Sequence, residues 1–176
     1  MVGLDSFFWI LVFVFAMIGF MRGWAKEVMV TFSVVLALFI ITVLQQFEPQ
    51  IITALSLENA AALFWFRTIV VLVLVFFGYQ TPNITRLAVG NRFVRERLQD
   101  SLLGLFLGAV NGYMVVGTLW YFMHQAQYPF PNFISAPAPE SAASQLIAFL
   151  PPQWLGIPVI YFAVALSFVF VLVVFI

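Results

Sequence analysis

Cysteine is absent from this 176-residue chain. Disulfides, thiolate metal sites and S-acylation are therefore excluded, and the redox compartment leaves no trace. Charge is nearly as scarce. Seven Lys and Arg balance seven Asp and Glu, so charged residues make up 8% of the chain and the formal net charge is zero. A soluble domain is about a quarter charged, and a neutral chain has no global attraction for nucleic acid. One histidine, His124, is present. A hydrolytic centre needs a nucleophile, a base and an orienting group. The acid nearest to His124 in sequence is Glu140, in a proline-rich stretch, so no catalytic residue is assigned and the chain is not expected to be an enzyme. Clusters of His, Cys and carboxylates with metal-ligand spacing are missing. "VGNRF" lacks the lysine and spacing of a phosphate loop. No metal or cofactor is expected. His124 as an axial ligand to a haem or chlorophyll-type pigment is the remaining route to one, and a lone membrane-edge histidine is more often a polar interfacial residue.

What the chain has in abundance is hydrocarbon. Hydrophobic residues reach 64%, with 22 Phe and 5 Trp. That surface is too apolar for water, and it predicts an integral membrane protein in a lipid bilayer. Five runs are long enough to cross: roughly Ser6–Met21, Glu27–Leu44, Leu63–Tyr79, Ser101–Met123 and Pro158–Ile176. They do not alternate as barrel strands would. The fold class is all-α: a polytopic protein with about five transmembrane helices and short interfacial amphipathic helices. Residues 124–157 form a proline-rich connection between a four-helix region, 1–123, and the fifth span, 158–176. The middles of all five spans are free of ionisable residues, which argues against an ion-coupled carrier.

The few cations set a topology. The first connection holds Arg22 and Lys26, the second none, the third Arg86, Arg92, Arg95 and Arg97, and the fourth none. The positive-inside rule then puts the amino terminus outside and the carboxy terminus toward the cytoplasm. Asp5 precedes the first span and the cations follow it, so that span is expected to be retained rather than cleaved as a signal peptide. Arg67 falls about one turn inside the outer end of the third span, beside Trp65. It is read as snorkelling to the outer headgroups; the sharper alternative is an intramembrane charge with a partner.

Several connections carry patterns of their own. "QIITALSLENAAALF" and "TRLAVGNRFVRERLQD" each space apolar against polar residues in the manner of surface helices, the second with a cluster of cations for anionic lipid or a partner. "YPFPNFISAPAPES" is too rich in proline for a regular helix. "SQLIAFLPPQW" reads as a short helix stopped by Pro151 and Pro152.

Two features point to close packing. "GLFLGAVNG" places Gly104, Gly108 and Gly112 on one helix face with Asn111 beside them. Small residues let a second helix approach to backbone contact, and an asparagine can hydrogen-bond across. The partner is either this chain's own hairpin, where Gly19 and Gly23 form a shorter row, or another subunit. The hairpin "GFMRGWAKEV" has Glu27 at the positive end of a helix dipole. Arg22 or Lys26 is expected to pair with it, or Arg97 from the third connection.

The two stretches also carry a resemblance. "IGFMRGWAKEV", with Gly19, Phe20, Gly23 and Glu27, resembles the Gly-Phe-x-x-Gly turn and following Glu that join the first two helices in the colicin V production (CvpA) family. "RERLQDSLLGLFLGAVNGYMVVG" is similar to that family's basic stretch, Asp and glycine-studded fourth span, here Arg97, Asp100, Gly104, Gly108 and Gly112. The resemblance covers roughly residues 1–123 and implies a small, non-enzymatic protein of the bacterial inner membrane, linked to colicin V production and envelope processes. The proline-rich loop and fifth span depart from the family pattern. Three functions follow in order: a structural or accessory subunit packed against partner membrane proteins, in a respiratory or photosynthetic electron-transfer complex; an export or envelope helper or channel; and a cofactor-holding subunit using His124.

Overall fold

The structure is a computed structural model that describes residues 3–50, 53, 60–80 and 94–175. Among these residues all regular structure is helical: α1 Leu4–Arg22, α2 Trp24–Phe47, α3 Ala60–Tyr79, α4 Val94–Gln125, α5 Ala142–Ile147, α6 Pro151–Trp154 and α7 Val159–Phe175. The chain is an all-α polytopic membrane protein. Helices α1 to α4 are each long and apolar enough to cross a bilayer, and α7 is a shorter apolar helix of 17 residues. In hydrocarbon each backbone polar group must be satisfied within its own segment, which these runs achieve as helices. Arg86, Arg92 and most of both expected surface helices lie outside the described residues. Residues 94–100 belong to α4 itself, which runs unbroken for 32 residues. Of Arg95 only the helical backbone is described.

A single residue, Gly23, separates α1 from α2. Its φ of +83° is a conformation that side chains with a Cβ rarely adopt, and its N–H closes α1 by donating to Gly19 O at 2.9 Å. The turn is therefore very tight, yet the main neighbour of α1 is α4 and not α2. Helix α4 is the hub and packs on α1, α2, α3 and α6, while α2 carries α3 and α7 on its flanks. Between the ends of the bundle the core is aliphatic, with Val30, Val34, Leu38 and Ile41 of α2 against Val71 and Val75 of α3 and Met114 and Val115 of α4.

The connection from α4 to α7 does more than join them. It folds back along α4. Pro151 sits where a Cβ on Gly117 would lie 2.7 Å from the ring. Gly117 is about 12 Å below the end of α4 at 1.5 Å per residue. Deeper still, Tyr113 Oη donates to Phe149 O and accepts from Trp154 Nε1 at 3.1 Å. Leu150 is fully buried with Phe8, Val12 and Trp120. Pro151 and Pro152 do not stop the preceding helix, as the sequence suggested. They start α6, because the first turn of a helix has no use for their missing N–H groups. Helix α5 ends earlier, and its start is capped by Ser141, whose hydroxyl accepts from Ser144 N at 3.2 Å.

Candidate functional site

The hairpin end of the bundle contains a buried ion pair held by four helices. Glu27 lies in the first turn of α2 and is completely buried. Arg22, at the end of α1, donates from Nη1 to Glu27 Oε1 at 2.6 Å and from Nη2 to Tyr79 O at 3.0 Å. Its guanidinium also lies 4.3 Å from the centre of the Tyr79 ring. From α4, Asn111 Nδ2 donates to Glu27 Oε2 at 2.8 Å and to Glu27 O at 2.9 Å. Thr31, one turn along α2, donates to Asn111 Oδ1 at 2.7 Å. Both carboxylate oxygens are thus engaged, and the amide of Asn111 is used at both ends.

Physical chemistry explains why the set is so complete. A buried carboxylate pays a desolvation cost of several kcal/mol, recovered only when a counter-charge and hydrogen bonds saturate it. Here the cation comes from across the hairpin and the amide from a helix far away in sequence. Of the three cations offered as partners by the sequence, Arg22 makes the pair. Lys26 is half-buried and Arg97 exposed, and neither forms an ion pair among the described residues. Asp100 instead serves the start of α2. That helix begins at Gly23, which has no capping side chain, and Asp100 Oδ1 accepts from Trp24 N at 3.3 Å across the helix interface.

Asn111 reaches Glu27 because α1 and α4 lie at backbone contact. A Cβ on Gly108 would sit 2.9 Å from Gly19 Cα and 3.1 Å from Ala16 Cα. One on Gly104 would sit 3.0 Å from Gly23 Cα, and one on Gly112 would sit 3.0 Å from Val12 Cα. None of these positions has room for a side chain. The glycine rows of the two segments face each other within this one chain.

Arg67 stands at the opposite end. Because α3 starts at Ala60, Arg67 lies about 10 Å into its helix. It is 7% exposed, and its guanidinium is bonded within the bundle. Nη1 donates to Gln125 Oε1 at 2.5 Å, and the Gln45 amide oxygen, turned toward the guanidinium as the bonding requires, accepts from Nη2 at 2.6 Å and Nε at 3.3 Å. The returning α4–α7 connection covers this end, which the linear sequence could not reveal. Trp65, its neighbour, is half-exposed and packs edge-on against Phe64 and Phe130. His124 packs edge-on against Tyr128 at 5.8 Å, and its buried Nδ1 has no hydrogen-bond partner among the described residues. Among those residues no group of three His, Cys or carboxylates comes together.

Residues 4–150 match the family described as Colicin V production protein. The chain belongs to the colicin V production family. The match runs past Met123, where the resemblance read from the sequence ends, and takes in the returning segment as far as Leu150. Helix α7 lies beyond it. No curated protein and no solved structure matches the chain. Thr31, Tyr79, Gln45, Tyr121 and Gln125 were not singled out from sequence, although one signal was present. Asn111, Thr118 and Gln125 recur every seven residues on α4, a polar stripe along one face.

Proposed function

We propose that this colicin V production family member is a non-catalytic protein of the bacterial inner membrane that assists export or envelope maintenance through contacts with other membrane proteins. The family match over residues 4–150 carries this reading. It favours an export or envelope role over an accessory subunit of an electron-transfer complex, which the sequence alone put first. The absence of a nucleophile–base–orienter pattern from the sequence supports a role without chemistry. In the proposed orientation the amino terminus is outside, and the hairpin and the start of α4 face the cytoplasm. An open channel is disfavoured, since the interior between Glu27 and Arg67 is filled by Val, Leu, Ile and Met side chains. A scaffold fits better: the seam between α1 and α4 sets the shape, and exposed apolar faces such as Leu102, Leu103 and Phe106 meet lipid or partner helices.

The test is complementation. In a colicin V-secreting strain deleted for its own family member, this chain is expected to restore toxin in the medium. An Asn111→Leu variant that still reaches the membrane is expected to restore less. Equal toxin release with and without the chain refutes the role.

A further inference from the structure

A cavity of about 270 Å³ opens beside Arg67, lined by Thr42, Gln45, Tyr121 and Gln125 and by the apolar Leu155 and Ile157, among others. Its size is just below the usual ligand-pocket range of roughly 300–1,000 Å³. The polarity of its wall is set from behind. Arg67 is a buried cation, and among the described residues no carboxylate pairs with it. Its N–H groups occupy the amide oxygens of Gln45 and Gln125. That turns the amide nitrogens the other way. Gln125 Nε2 donates to Tyr121 Oη at 3.1 Å, which leaves the phenol proton to point onward. Gln45 Nε2, on the side of the amide away from Arg67, is the other donor of the cavity wall. Each of these donors is polarised through its chain by the arginine. Thr42 has spent its own proton on Leu38 O at 2.8 Å. The last carbonyls of α4, Phe122 O, Met123 O and His124 O, already accept from Ala126, Tyr128 and Gln127.

Two directed donors with a full positive charge behind them, in a small cavity at the membrane end, select an anionic acceptor. We propose that this cavity binds an anionic phosphate group, from either a phospholipid headgroup or free phosphate. Tyr121 Oη and Gln45 Nε2 donate to its oxygens, Arg67 supplies the potential, and Leu155 and Ile157 take the apolar part nearest the phosphate.

The full chain in nanodiscs of digalactosyldiacylglycerol, a neutral lipid without phosphate, supplies the test, with phosphatidylglycerol added in one arm and inorganic phosphate in the other. Binding is read by native mass spectrometry and calorimetry, alongside thermal stability. Tyr121→Phe removes one hydroxyl and Gln45→Leu one amide, and each is expected to weaken binding about tenfold, the scale of a hydrogen bond to a charged group. Stability in the neutral membrane should change little for Tyr121→Phe, whereas Gln45→Leu also takes two hydrogen bonds from the buried Arg67 and should lower it, so Tyr121→Phe is the cleaner test. Loss in the phosphatidylglycerol arm alone identifies a headgroup, and loss in the phosphate arm alone identifies the free ion. Arg67→Gln should abolish binding where it folds, and the two milder variants decide the matter where it does not. Equal affinity of wild type and both variants, or binding in neither arm, overturns the proposal.

Discussion

Asn111 holds both ends of one residue: its amide nitrogen donates to the carboxylate of Glu27 at 2.8 Å and to the backbone carbonyl of Glu27 at 2.9 Å. Helix α4 is thereby fastened to the first turn of α2 by a side chain that cannot be replaced by an isostere. Interhelical hydrogen bonds in membranes average only about 0.6 kcal/mol. One to a buried carboxylate lies above that, at about 1.5–3 kcal/mol. Asn111→Ala is expected to lose that amount in detergent unfolding, and Asn111→Asp more, because it sets a second carboxyl against Glu27. An Asp variant as stable as wild type would contradict the network.

The ion pair should behave asymmetrically. Arg22→Ala leaves a buried carboxylate without its cation and is expected to cost roughly 3–5 kcal/mol. Arg22→Lys should recover only part of it, since one ammonium cannot span Glu27 and the Tyr79 carbonyl as the fork does. The double variant Arg22→Met with Glu27→Gln should be more stable than Arg22→Ala alone. A double-mutant cycle measures the coupling, and a cycle that closes without coupling rules the pair out as a stabilising unit.

The seam between α1 and α4 tolerates no added volume. Gly108→Leu must push apart backbones that already touch, and a loss of at least about 1–3 kcal/mol is expected from overpacking. Gly108→Ala should show a smaller loss of the same sign. Thermal unfolding in bicelles measures both. Stabilisation by either variant would mean the helices are not in contact there.

Asp100 closes the start of α2 from another helix. Asp100→Ala should cost about 0.5–2 kcal/mol, as loss of an ordinary cap does, and Asp100→Asn less. The sharper readout is hydrogen exchange at the Trp24 amide, which should quicken in the Ala variant. Unchanged exchange would show that the contact carries no capping energy.

Sidedness can be read directly, because the chain contains no cysteine to mask. Arg97→Cys and Phe133→Cys place thiols at exposed positions of the α4 start and the α4–α7 connection. In the proposed orientation a membrane-impermeant reagent labels Phe133→Cys in intact cells and Arg97→Cys only after the membrane is opened. The reverse pattern would invert the topology.

Much of this architecture is written locally and was legible. Runs of hydrocarbon announce the spans, four-residue glycine spacing announces the close face of α4, and Gly23 between two apolar runs announces the hairpin. Partner choice was less so. Glu27 has three cations within sequence reach, and only the packing of α1 on α4 decides for Arg22 and brings in Asn111. Arg67 was hardest. Its burial depends on residues 126–158 folding back along α4, and proline-rich sequence normally signals an excursion into water. Pro151 and Pro152 read as a stop because a proline pair ends a helix and also begins one, and only the position of Leu150 in the core tells which.

Glu27 and Asn111 are 84 residues apart in the chain. Synthesis therefore delivers α1 and α2 to the bilayer long before α4 exists. During that interval the α1 face from Val12 to Gly23 meets lipid or an assisting protein, and Arg22 shields Glu27 without the amide that completes its shell. The last long helix is the one that locks the first, so the shell of Glu27 is complete only once α4 is in place.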